Sequence, residues 1–188
     1  MDDETRKKLL AIARRTVEAA VKGERPPEFY LSDPELQAFR GAFVTIKKHG
    51  QLRGCIGQFI AQEPLYQVVR NMAVSSATED PRFFNCRLTP ADLPEIDIEI
   101  SVLSPLSRIA NPLDIELGKH GIYIRRGPRA GCFLPQVATE TGWSKEEFLT
   151  HCTRDKAGLP PDAWRYPDTE VYVFTAEILE EKPAHQAQ

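Results

Sequence analysis

The sequence predicts an α+β protein built on a mostly antiparallel sheet flanked by helices. Three observations carry that expectation. Segments of helical and of strand periodicity are interspersed without a regular β-α-β beat or an internal repeat, short turns join neighbouring strands as hairpins, and no linker-like stretch divides the chain. At 188 residues, with 41% hydrophobic and 27% charged residues, the chain can bury a sizeable core and is too short for two large domains.

The elements follow in order. From Glu4 to Lys22 the apolar residues Leu9, Leu10, Ala13, Val17, Ala20 and Val21 recur at helical spacing, and Gly23, Pro26 and Pro27 stop the run. Ser32-Asp33-Pro34 offers a cap followed by a proline at a first helical position, so a short helix is expected over Glu35 to Phe39, ended by Gly41. Ala42 to Lys48 and Leu52 to Phe59 read as the two arms of a hairpin that turns at Gly50-Gln51. Gln62-Glu63-Pro64 opens a helix in which Leu65, Val68, Val69, Met72, Ala73 and Ala77 share a face, and Pro81 marks where it has ended. Glu95 to Leu103 alternates most clearly, with Ile96, Ile98, Ile100 and Val102 toward a core and Asp97, Glu99 and Ser101 toward water. Further strands are expected at Gly121 to Arg126, Gly131 to Leu134 and Glu170 to Leu179, and a helix from the capping box at Ser144 to Glu147 through Cys152. Residues 181–188 read as a flexible tail.

Charge and composition exclude several functions. Lys+Arg 24 against Asp+Glu 27 leaves a net charge of −3, so no global basic field gathers phosphates and a nucleic-acid role is disfavoured. No stretch approaches the length of a membrane span or of a signal peptide's apolar core, which points to a cytoplasmic protein. Cys55, Cys86, Cys132 and Cys152 form no C-x-x-C pair, so free thiols are expected, and no short spacing of ligands points to a metal or another cofactor.

The most unusual stretch is Leu52-Arg53-Gly54-Cys55-Ile56-Gly57. On a regular strand Arg53 and Cys55 project to the same face, and positive charge beside a thiol favours the thiolate, the form that attacks carbon. Gly54 and Gly57 leave the backbone open to close approach by a ligand or by neighbouring structure. The competing reading is that Cys55 is a small buried hydrophobe and that the glycines fit a tight sheet.

This hexapeptide resembles the signature of the AMMECR domain family, whose bacterial and archaeal members are called AmmeMemoRadiSam system protein A. Further blocks resemble the family's in order: Asp80 to Phe83, Leu103 to Leu106, His120-Gly121-Ile122, Phe133 to Val137, Gly142-Trp143, Phe148-Leu149 and Lys156 to Leu159 with Trp164. The resemblance spans roughly Thr5 to Glu180. It implies one domain of two unequal lobes, the larger holding both termini and the smaller drawn from the middle of the chain, with a cleft near the cysteine motif. It also implies a place in a modification pathway beside a Memo-like protein and a radical S-adenosylmethionine protein. The chain has no cysteine trio spaced for an iron–sulfur cluster, so any cluster belongs to a partner.

Other residues divide between chemical and structural readings. Asp80 and Arg82 flank Pro81 and can hold an anionic substrate or each other. His120 is the candidate general acid or base because histidine titrates near neutrality, although it also suits a turn. Gln136 presents an amide where a strand meets the next helix, and Lys156 precedes a small-residue turn, where it suits an anion contact. His49, His151 and His185 read as solvent-facing or tail residues. Two functions emerge. One is an enzyme or enzyme subunit using Cys55 as nucleophile, Arg53 as electrostatic support and His120 as acid or base on a small organic substrate. In it Gly54, Gly57, Asp80, Arg82, Gln136 and Lys156 would contact that substrate. The other is a non-catalytic adaptor that docks a protein or, with less support, a nucleic acid through the same patch, aided by Arg125, Arg126 and Arg129.

Overall fold

In the computed structural model the described residues are 1–181, so residues 182–188, with His185 and most of the expected tail, lie outside them. The chain is α+β and divides into two compact units, Met1–Val102 together with the described residues from Glu177 onward, and Leu103–Ala176. The strands form two four-stranded sheets rather than one. Among the described residues no helix is long and apolar enough to cross a membrane.

In the first unit, α1 (Asp3–Val21) starts where the Asp2 carboxylate accepts the Thr5 N–H, and ends at Lys22 before Gly23, whose φ is +72°. The short α2 (Pro34–Gln37) begins at Asp33 as its sequence implies, but stops two residues earlier than expected because Ala38 is already extended. β1 (Ala42–Lys48) and β2 (Gln51–Gln58) form the hairpin, and α3 (Leu65–Thr78) follows. The segments Pro81–Cys86 and Pro90–Glu95, which have no helical periodicity, are 3₁₀ turns. β3 (Ile96–Leu103) pairs with β1, and the sheet order is β2-β1-β3-β8, with β8 at Ala176–Glu180. Leu9, Val17, Val44, Ile46, Val69, Ile98 and Ile100 meet in one core, where each fully buried aliphatic contributes about 1.5–3 kcal/mol. The outward face of β3 is drier than expected, since Ser101 is buried. Glu181, which the sequence assigns to the flexible tail, is bonded into this unit: its carboxylate accepts from Arg14 and from the Ile98 N–H.

The second unit holds β4 (Ser107–Arg108), β5 (Gly121–Arg126), β6 (Arg129–Phe133) and β7 (Glu170–Phe174) in the order β4-β7-β5-β6. A helix that the sequence reading lacked, α4 (Pro135–Thr141), precedes α5 (Lys145–His151), and α5 carries the expected capping box between Ser144 and Glu147. α5 runs on into a π-helical turn, Cys152–Lys156. The single strand expected from Glu170 to Leu179 is two strands in different sheets, broken at Thr175. Its N–H donates to Ser104 Oγ at 2.9 Å while its carbonyl accepts from the Ser104 N–H at 2.8 Å, so the two residues bond each other where the chain leaves one sheet for the other.

Candidate functional site

The site begins with the turn of the first hairpin. His49 and Gly50 have φ of 51° and 75°, the left-handed pair that a tight two-residue hairpin turn requires. Such a turn pairs Lys48 with Gln51 and Lys47 with Leu52, and simple continuation would set Cys55 opposite Val44, on the core face. A β-bulge intervenes: Ile46 pairs with Gly54, leaving Arg53 as the extra residue, and Cys55 pairs with Thr45. That one-residue shift turns Ile56 toward the core side and Cys55 away from it.

It also changes the role expected for Arg53. Strand alternation is interrupted beside it, and its guanidinium bonds to Leu52 O at 3.4 Å and to Gln51 Oε1 at 3.5 Å. The guanidinium that engages Cys55 belongs to Arg82, whose Nη2 donates to the Cys55 carbonyl at 3.0 Å. Asp80 accepts the Cys55 N–H at 2.9 Å. The same carboxylate caps the Pro81–Cys86 turn through the Arg82 N–H and takes a fork from Arg82, Nε at 2.9 Å and Nη2 at 2.7 Å. Asp80 and Arg82 therefore hold each other and cover the outer edge of β2 as a neighbouring strand would. Asp80 is only 4% exposed, and its carboxyl is lowered to about 2, first by the Arg82 bond and further by the Cys55 and Arg82 backbone N–H groups.

Two residues that the sequence reading lacked complete the surroundings. The Thr45 hydroxyl donates to Cys55 Sγ at 3.2 Å. On α3 the Ser76 hydroxyl accepts the Ile56 N–H at 2.9 Å and donates to Val44 O at 2.8 Å, lodging between paired strands. That close approach explains Gly54, because a Cβ there would lie 2.0 Å from the Ser76 carbonyl oxygen. Gly57 is covered in turn by the Phe43 ring, 2.2 Å from where its Cβ would be. Lys47 is bonded to Glu99 at 2.7 Å. Thr45 is findable only with the bulged register in hand, and Ser76 gives no signal beyond being a small polar residue on a helix.

The remaining candidates lie in the second unit. His120 closes a turn, its Nδ1 accepting the Glu116 N–H at 3.1 Å and its own N–H donating to Glu116 O at 2.8 Å. Gln136 stands in the first turn of α4 with Oε1 buried and unpartnered among the described residues. Lys156, exposed at the end of the π-helical turn, places its Nζ 5.8 Å from the centre of the Phe133 ring. Burial pushes up the thiols of Cys132 and, far more, of Cys152, and Lys156 opposes this only in part. Cys86 is exposed, and all four cysteines are free. Among the described residues no three His, Cys, Asp or Glu side chains gather so as to hold a metal ion.

Over most of its length the chain is similar to known proteins. A protein of Methanopyrus kandleri is 47% identical over 167 residues, covering 85% of this chain and 77% of its own. One from Thermococcus kodakarensis is 42% identical over 193 residues, with 96% and 92% covered. The crystal structure of the uncharacterised protein PH0010 from Pyrococcus horikoshii superposes with a TM-score of 0.85 at 37% identity, covering 98% of this chain and 95% of that one. The AMMECR1 family model matches residues 10–179, nearly the whole of both sheets, and the chain belongs to the AMMECR1 family.

Proposed function

We propose that this protein is an enzyme or enzyme subunit whose reactive group is the Cys55 thiol, working on a small organic substrate in a modification pathway with Memo-like and radical S-adenosylmethionine partners. The observation that carries the reading is the fixing of Cys55 on three sides: Thr45 Oγ1 on its sulfur, Asp80 on its N–H and Arg82 on its carbonyl. A purely space-filling cysteine needs no donor on sulfur, whereas a nucleophilic one gains from a hydroxyl set on its sulfur, and from a backbone fixed on both sides, before substrate arrives. In this reading Arg82 is a positioning residue for Cys55.

The test is the alkylation rate of each cysteine in the native protein against pH, resolved by peptide mass spectrometry, beside Arg53→Ala. Cys86, exposed in its 3₁₀ turn, is an internal reference for an accessible thiol. Cys55 is expected to react faster than Cys86 near neutral pH, and Arg53→Ala shows whether that arginine lends electrostatic support. Parity of the two thiols at every pH from about 6 to 9 ends the nucleophile reading.

One feature favours the adaptor alternative. No residue of Pro81–Cys86 is buried, Phe84 is 50% exposed, and Arg82 and Arg87 lie over the rings of Phe83 and Phe84. Exposed aromatics with arginine are enriched at protein interfaces. Capture of a Memo-like partner that survives Cys55→Ser and is lost in Phe84→Ala selects this reading.

A further inference from the structure

We infer that the second unit carries a binding site for a phosphate monoester, wholly separate in its residues from the cysteine site. Strands β4 and β7 pair at Ser107–Val173 and Arg108–Tyr172, and the Ile109 N–H still reaches Val171 O at 3.0 Å. Beyond that bond the two segments line a cavity of about 610 Å³, a size usual for small-molecule sites. Its apolar lining includes Ile109, Leu113, Trp164 and Val171.

The charged groups that line this cavity are all cationic. Arg108 and Arg165 line it, one from each segment, and no Asp or Glu stands among its described lining residues. Arg108 has a side chain that is 60% exposed and shares Glu170 with Arg125, lying 3.6 Å from one carboxylate oxygen while Arg125 bonds the other at 2.6 Å, so two cations face one carboxylate. Arg165 lies over the Trp164 ring, its guanidinium carbon 4.3 Å from the centroid, and pairs with Glu146 at 3.0 Å. Thr169 also lines the cavity, is only 8% exposed, and its hydroxyl has no partner among the described residues. Buried hydroxyls are nearly always bonded, so an unpartnered one beside a cavity points to an acceptor that arrives with a ligand.

An anion suits these donors, and its geometry can be narrowed. A carboxylate offers two coplanar oxygens that one guanidinium fork satisfies, whereas a phosphate monoester offers three oxygens in diverging directions, matching donors from two segments and a hydroxyl. The apolar surface and the volume leave room for an organic body, so the ligand class is an organic phosphate monoester about the size of a nucleoside monophosphate.

The experiment titrates the full chain with AMP and with phenyl phosphate while following the Trp164 indole N–H by NMR, assigned with Trp143→Phe; adenosine and inorganic phosphate are control arms. At least one of the two monoesters is expected to bind with a sub-millimolar dissociation constant, about tenfold more tightly than either control. Arg108→Ala, at an exposed position, is expected to weaken binding about tenfold, and Thr169→Val severalfold, with the thermal midpoint reporting that each variant folds. Three results overturn the proposal: no Trp164 shift with either monoester at about 5 mM, adenosine binding as tightly as AMP, or affinity unchanged in folded Arg108→Ala.

Discussion

Cys55 in the first unit and Cys152 in the second are both held by regular structure, yet their surroundings are opposite. Cys55 has a hydroxyl on its sulfur, a carboxylate on its N–H and a guanidinium on its carbonyl. Cys152 is wholly buried in a cluster with Ile122, Phe148, Leu149 and Trp164, and that burial holds its thiol far above the ordinary range. The contrast shows that residue type does not decide a cysteine's chemistry here: polar company and access do, since only the thiolate reacts and apolar burial disfavours charge.

The largest expected effect tests that contrast directly. In the native protein Cys152 should be alkylated at least about a thousandfold more slowly than Cys55 and become reactive only as the second unit opens, read by quenched labelling at rising denaturant. Comparable rates would break the comparison. Next in size, Gly54→Ala forces a Cβ onto the Ser76 carbonyl and should cost about 3 kcal/mol in denaturant unfolding. Gly127→Ala in the second unit, where φ is 56° with open space around it, should cost only about 1 kcal/mol.

A pH series sharpens the account of the cysteine's support. The Asp80 carboxyl sits at about 2 when folded against an ordinary 3.8, so the folded state prefers its ionised form. Its contribution, about 2 kcal/mol, is fully present above pH ~4 and is lost as pH falls through ~2. Asp80→Asn should remove this acid-limb loss, and unfolding midpoints from about pH 5 to 2 check it. An unaltered acid limb in the variant would mean that the Asp80–Arg82 fork adds no stability. The smallest effect is expected for Thr45→Val, which removes the donor on Sγ while keeping the side chain's shape. Cys55 alkylation at neutral pH should fall about threefold with Cys86 unchanged, since one hydrogen bond contributes about 1 kcal/mol or less.

Much of the first unit was legible from local pattern. The bounds of β1, the helical faces of α1 and α3, and the alternation of Ile96, Ile98, Ile100 and Val102 follow from periodicities that the backbone imposes on any chain burying one face. The second unit is less legible. α4 has no long apolar stripe, the π-helical turn extends α5 without a breaker, and β7 and β8 look like one strand because nothing in Phe174-Thr175-Ala176 marks a change of sheet. At the site, the cysteine motif and the Asp80-Pro81-Arg82 turn stood out as unusual residues, but Thr45 and Ser76 did not, because their roles come from partners distant in sequence.

By itself the sequence determined the fold class, most of the elements, the identity of the cysteine motif and the family, since these rest on local periodicity, capping and residue identity. Tertiary structure alone decided which way Cys55 faces. The hairpin turn and the alternation of β1 would have turned it toward the core, and the bulge at Arg53 reverses that by one residue. Ser76 of α3, pressed against Gly54 and bonded between Val44 and Ile56, meets the strands beside that bulge. A strand's side-chain period of two makes the outcome all or none, and no local propensity records where the extra residue goes.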